Sequence, residues 1–149
     1  MAEILKQKAR QGVEVRILFD VMGCRTMSRK KWKELEEAGI ETAEFFPAFF
    51  GRLQLRINYR NHRKIVVVDG ATAYVGGFNV AREYVGLDEK FGYWRDTHMR
   101  ITGTAVQSLQ ARFILDWNHA TKENLFHHKN LLGSSRICVL LVIILILNQ

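Results

Sequence analysis

His62, Lys64, Asp69 and Asn79 fall within residues 61–79, NHRKIVVVDGATAYVGGFN, around a β-branched apolar run. His62 and Lys64 are two apart on an expected strand, so both side chains point to one face. An imidazole and an ammonium held side by side on a rigid element suit an anion such as a phosphate. The lysine stabilises negative charge, and the histidine can attack phosphorus or move a proton. The positive charge of Lys64 favours the neutral, nucleophilic imidazole at His62. Asp69 ends the run, and its carboxylate reads either as a cap for the turn or as the holder of a basic partner. Gly76 and Gly77 allow close backbone approach to a ligand, and Asn79 offers an amide to a phosphate oxygen. Each piece alone is ordinary, since Asp-Gly and Gly-Gly are common bends. Their joint occurrence makes a candidate site for phosphoryl transfer.

The elements that must position these residues follow from periodicity. Residues 3–11 read as a helix closed by Gly12. The alternation of VEVRILFD, residues 13–20, predicts a strand with Val13, Val15, Ile17 and Phe19 on one face. SRKKWKELEEAG follows as an amphipathic helix with Ser28 as N-cap, Trp32 and Leu35 as its apolar stripe, and Gly39 at a left-handed C-terminal cap. IETAEFF, residues 40–46, is a second strand, and strand, helix, strand at this spacing is one βαβ unit. LQLRINYRNH leads into the strand KIVVVD. Ile65 to Val68 are apolar without a break, which predicts burial on both sides. DGAT turns into AYVGG, YWRDTHMRIT (residues 93–102) is another alternating strand, and TAVQSLQARFILDWNHAT is a long helix. Val106, Leu109, Phe113, Leu115 and Trp117 are its expected inward positions. The predicted fold is α/β, a mixed β-sheet flanked by helices, in residues 1–126.

Residues 127–149 differ. ICVLLVIILILNQ is apolar from Ile137 to Leu147, well short of the ~20 residues of a membrane-spanning helix. It reads as a buried strand or an aggregation-prone segment. The amino terminus, MAEILKQKAR, has no apolar core and does not read as a signal peptide. The chain of 149 residues carries 22 Lys+Arg against 15 Asp+Glu, a formal charge of +7, which attracts polyanions such as nucleic acid or an anionic membrane. Arg52, Arg56, Arg60 and Arg63 are candidates to meet anionic headgroups, or else form a solvated basic face. Cys24 and Cys138 are far apart and read as free thiols in a reducing compartment. The five histidines form no spaced cluster with cysteines or carboxylates, so a structural zinc site is not expected.

His-x-Lys, four residues, Asp, six residues, Gly-Gly-x-Asn is the HKD motif: His62, Lys64, Asp69, Gly76, Gly77 and Asn79. It resembles the signature of the phospholipase D superfamily, in which many families carry Ser where this chain has Gly77. YRNHRKIVVVDG, YVGGFN, FGYWRDTH and LQARFILDWNHAT are similar to the bacterial cardiolipin synthases, over about residues 1–125. The resemblance implies transfer of a phosphatidyl group from one phosphatidylglycerol to another with release of glycerol, on the cytoplasmic side of a bacterial membrane. It implies His62 as the nucleophile of a phosphohistidine intermediate, Lys64 and Asn79 as ligands of phosphate oxygens, and Asp69 as a support for the constellation, with no metal or cofactor because fixed cations take that part.

Members of that family are about three times longer, begin with membrane helices and carry two facing HKD motifs, the second histidine protonating the leaving alkoxide. This chain shows one motif, a half-site and a half-domain, and its divergent tail predicts a truncated or frame-shifted reading frame. A homodimer or a second HKD-bearing chain would complete the site. His98 beside Asp96 reads as a satisfied structural histidine or as a replacement acid. Two further readings stand beside the transferase: a single-motif nuclease acting as a dimer on nucleic acid, and an inactive fragment.

Overall fold

The structure is a computed structural model, and it describes residues 1–20, 24, 27–45, 63–77, 79, 84, 86–90, 92–125 and 138–143. In chain order the elements are α1 (Ala2–Arg10), β1 (Glu14–Asp20), α2 (Arg29–Glu37), β2 (Ile40–Phe45), β3 (Lys64–Val68), β4 (Thr72–Gly76), β5 (His98–Thr102), α3 (Ala105–Thr121) and β6 (Cys138–Ile143). Six strands form one sheet in the order β2-β1-β6-β3-β4-β5. β1 runs parallel to β2 and to β6, while β3 is antiparallel to both β6 and β4, and β4 is antiparallel to β5. The predicted mixed sheet flanked by helices is the fold observed.

Two apolar clusters separate the layers. Leu18, Ile65, Val67 and Ala73 face α3 and pack against Val106, Phe113, Ile114 and Trp117. On the other face Val13, Val15, Ile17 and Phe19 share a cluster with Leu35 of α2. The shared face predicted for β1 is therefore the one that meets α2. Phe19 also stacks on Trp32, ring centroids 3.9 Å apart. β3 is buried on the α3 side and half-covered on the other, where Val66 packs at the margin of the second cluster.

Helix ends follow local chemistry. The Ser28 hydroxyl accepts from the Lys31 amide at 3.4 Å, and Gly39, with φ +87°, takes the left-handed turn out of α2. One expected inward residue of α3 is placed otherwise: Leu115 is 50 % exposed, and Ile114 is buried in its stead. Positions 106, 110, 113, 114 and 117 fall on one helical face, whereas 115 lies about 200° around from 113. β5 begins only at His98, where β4 supplies a partner; residues 94–97 form no strand. The apolar run of the tail contributes β6, which is inserted between β1 and β3, so these six residues belong to the same sheet as the rest.

Candidate functional site

β3 starts beside the carboxyl ends of β1 and β6, because β6 runs parallel to β1 and Ile65 pairs with Val142 near the end of β6. In open α/β sheets this carboxyl edge of the parallel strands is where ligands bind. Lys64, the first residue of β3, pairs with Gly76, the last of β4, and Gly76 pairs with His98, the first of β5. Directly paired residues of antiparallel strands project to the same face, so Lys64 and His98 flank a position that has no side chain. The lack is required: a Cβ on Gly76 would strike the His98 imidazole and approach the Thr97 carbonyl oxygen at 2.7 Å. At Gly77 a Cβ would lie 2.8 Å from the Asp96 carboxylate.

Lys64 is half-buried, and that desolvation lowers the pKa of its ammonium, while the nearby negative charge of Asp96 pulls it back up. A lysine in this state is a cation poorly served by water, which favours an anionic ligand. Asp96, itself exposed, accepts a hydrogen bond from the Thr97 amide at 2.6 Å. Sequence reasoning paired Asp96 with His98 only. Its proximity to Lys64 and Gly77 depends on β4 lying between them, and the spacing along the chain does not show it.

Asn79, two residues past Gly77, is 2 % exposed. Its Nδ2 donates to the Tyr84 hydroxyl at 2.7 Å, and its Oδ1 has no hydrogen-bond partner among the described residues. Tyr84 in turn stands edge-on to Trp94, centroids 4.8 Å apart.

Asp69 is placed elsewhere. It follows the last residue of β3, so it stands roughly 16 Å along the strand from Lys64 at 3.3 Å per residue. Asp69 and Gly70 both have positive φ, 55° and 62°, and the Ala71 amide donates to the Val68 carbonyl at 3.0 Å. That is the backbone a type I′ turn requires, and aspartate tolerates it better than most residues. The described geometry makes Asp69 a turn residue, too distant to touch a ligand held at Lys64. Arg63 also departs from expectation. Its guanidinium turns to the α3 face and pairs with Asp116 at 3.2 Å, so it has a partner within the fold while its side chain stays 47 % exposed. Asp116 is 1 % exposed and is held from its other side by Arg112. His62, Arg52, Arg56 and Arg60 lie outside the described residues.

Among the described residues no group of His, Cys, Asp or Glu is arranged to hold a metal ion, and no helix is long and apolar enough to cross a membrane. Chemically, the described part of the site is a half-buried cation, a glycine pair that lets a ligand approach the backbone, and a buried amide.

Comparison with known proteins gives this arrangement a setting. The chain is 56% identical over 131 residues to the major cardiolipin synthase ClsA of Bacillus subtilis, covering 88% of this chain and 26% of that protein. It is 49% identical over 130 residues to a cardiolipin synthase of Oceanobacillus iheyensis, with 87% of this chain and 27% of the relative covered. Cardiolipin synthase 2 of Staphylococcus epidermidis is 54% identical over 122 residues, which are 81% of this chain and 25% of the relative. The chain thus spans about a quarter of the length of these relatives. No solved structure matches it. Residues 1–117, from α1 through the buried face of α3 and including every residue of the HKD motif, match the family described as "Cardiolipin synthase, PLD-like domain", and the chain belongs to that family.

Proposed function

We propose that this chain carries one half of a phosphatidyl-transfer site. His62 is the nucleophile: an imidazole nitrogen attacks the phosphorus of phosphatidylglycerol, the bond from phosphorus to the glycerol oxygen breaks, and phosphohistidine forms. The departing glycerol oxygen takes a proton from a second histidine, supplied by another copy of the chain or another HKD-bearing chain. A hydroxyl of a second phosphatidylglycerol then attacks the same phosphorus and gives its proton to that second histidine. The bond from phosphorus to nitrogen breaks, and a lipid with two phosphatidyl groups is released.

Lys64 and Asn79 hold the phosphate oxygens, and Gly76 and Gly77 let the phosphate lie against the backbone. Asp69 serves by fixing the hairpin that carries Lys64 and Gly76. The anionic membrane surface presents the substrate, and the net charge of +7 favours the encounter. The observation that carries this reading is the half-buried Lys64 in register with Gly76 at the carboxyl edge of the sheet. The nuclease reading rests on the net charge of +7 and the short chain, and the cardiolipin synthase relatives give it no support.

The test is formation of cardiolipin from phosphatidylglycerol by the purified chain across a dilution series, with His62→Ala beside it. Product that requires His62 and falls steeply on dilution is expected. Product that is independent of His62 would count against the transferase half-site; none at any concentration would rule out pairing of two copies and leave a separate HKD-bearing chain or an inactive fragment.

A further inference from the structure

Asn79 combines two observations that its place in the motif does not explain. It is 2 % exposed, and one of its two amide heteroatoms has no partner among the described residues while the other is bound to the Tyr84 hydroxyl at 2.7 Å. A buried carbonyl oxygen left unpaired is costly, and a phosphate oxygen cannot relieve it because both are acceptors. The tyrosine hydroxyl, however, both donates and accepts. A half-turn of the amide therefore keeps the bond to Tyr84, with the hydroxyl now donating to Oδ1. It brings Nδ2, with an N–H to give, to the side where Oδ1 had no partner. The edge-on contact with Trp94 at 4.8 Å holds the Tyr84 ring, and with it the hydroxyl.

We infer that Tyr84 is a positioning residue for the anion site: its hydroxyl, steadied by Trp94, donates to Asn79 Oδ1 and so commits the Asn79 N–H groups to a phosphate oxygen. This rests on the reading of Asn79 as a phosphate ligand given above. Tyr84 touches no reacting atom; it removes the choice between a donor and an acceptor facing the anion. Without it the amide would sample both orientations, and only one of them binds.

The experiment uses the full chain labelled with nitrogen-15 and titrated with inorganic phosphate. The Asn79 side-chain amide signals are identified by their disappearance in Asn79→Ala. Phosphate should shift those signals in the unsubstituted chain, and Tyr84→Phe should weaken the apparent affinity by about three- to tenfold, the worth of roughly one hydrogen bond. In an Asn79→Ala background Tyr84→Phe should have no further effect, the non-additivity expected of a residue that acts through another. If Tyr84→Phe does not fold, Trp94→Leu, which loosens the ring and leaves the hydroxyl, should show the same direction and the same dependence on Asn79. Weakening by Asn79→Ala with no change in Tyr84→Phe or Trp94→Leu overturns the role of Tyr84 and leaves the phosphate reading intact. Phosphate that neither moves the Asn79 amide nor loses affinity in Asn79→Ala overturns both.

Discussion

Lys64 is set where a ligand can use its charge and where the fold is penalised for it. Because burial lowers its pKa, the protonated form is less comfortable in the folded chain than in the unfolded one. That penalty is complete below the lowered folded pKa and disappears as pH rises from there to the ordinary lysine value of 10.5. Lys64→Met should therefore raise the urea midpoint at neutral pH by a modest margin, and the gain over the unsubstituted chain should shrink as pH approaches 10.5. A constant gain at all pH values would show that the methionine merely packs better. The glycine pair separates packing from function in a similar way. Gly76→Ala forces a Cβ toward the Thr97 backbone oxygen at 2.7 Å, so β4 and β5 must part, at a cost of about 1–3 kcal/mol by chemical denaturation. In Gly77→Ser the nearest atom is the Asp96 carboxylate at 2.8 Å, the mobile end of an exposed side chain. Stability should change by no more than about 0.5 kcal/mol, while Asp96 moves relative to Lys64.

At the scale of elements, α3 is pinned to the start of β3 by a buried acid. Asp116 is 1 % exposed and holds Arg63 from the strand and Arg112 from its own helix. Each arginine is nearly half exposed and can turn to water if its partner is lost; the carboxylate cannot. Replacing both, Arg63→Ala with Arg112→Ala, should cost about 3–5 kcal/mol and more than the two single changes together, because only then are both of these cations taken from the buried carboxylate. Equal and additive losses in the unfolding free energy would show that each pair acts alone.

This pairing also marks a limit of sequence reading. Periodic patterns and apolar runs exposed β1 to β5 and all three helices, and the residue types of Lys64, Gly76 and Gly77 marked a candidate site, but the sheet edge where they meet follows only from the strand register. Arg63 and Asp116 are 53 positions apart, and no local pattern joins them. The Asn79–Tyr84 bond escaped for a different reason: the sequence around Tyr84 has no periodic pattern to signal where its hydroxyl goes. Asp69 is the reverse case, since five residues of extended strand already imply its distance from Lys64.

The whole molecule depends on β6. The half of the sheet that packs on α1 and α2, β2 with β1, has no direct strand pairing to the half that carries Lys64, β3 with β4 and β5; β6 lies between them. A chain ending at residue 126 should keep the α3 contacts to β2 and β3 yet lose that pairing, leaving β1 and β3 as unprotected edges. Its thermal transition should broaden or vanish, and the protein should self-associate in sedimentation. A truncated chain that melts as sharply as the full one would show that β6 contributes little to the whole.

The central strand also carries little information about its own alignment. CVLLVI contains no glycine, proline or charge, and both of its neighbours contribute apolar runs. Register is well specified where a slip would turn polar residues inward and apolar ones outward. Along β6 itself a slip by one residue exchanges apolar groups for apolar groups, but β3, carried about 3.3 Å along β1, would turn Lys64 toward the α3 face. Lys64 travels with β3, whereas Phe19 and Asp20 stay with β1. The position of the site relative to the parallel strands thus works like a vernier scale whose marks are blank on β6 and are read from its neighbours: the charge of Lys64 and the contacts of α3, above all the Arg63–Asp116 pair, select the setting.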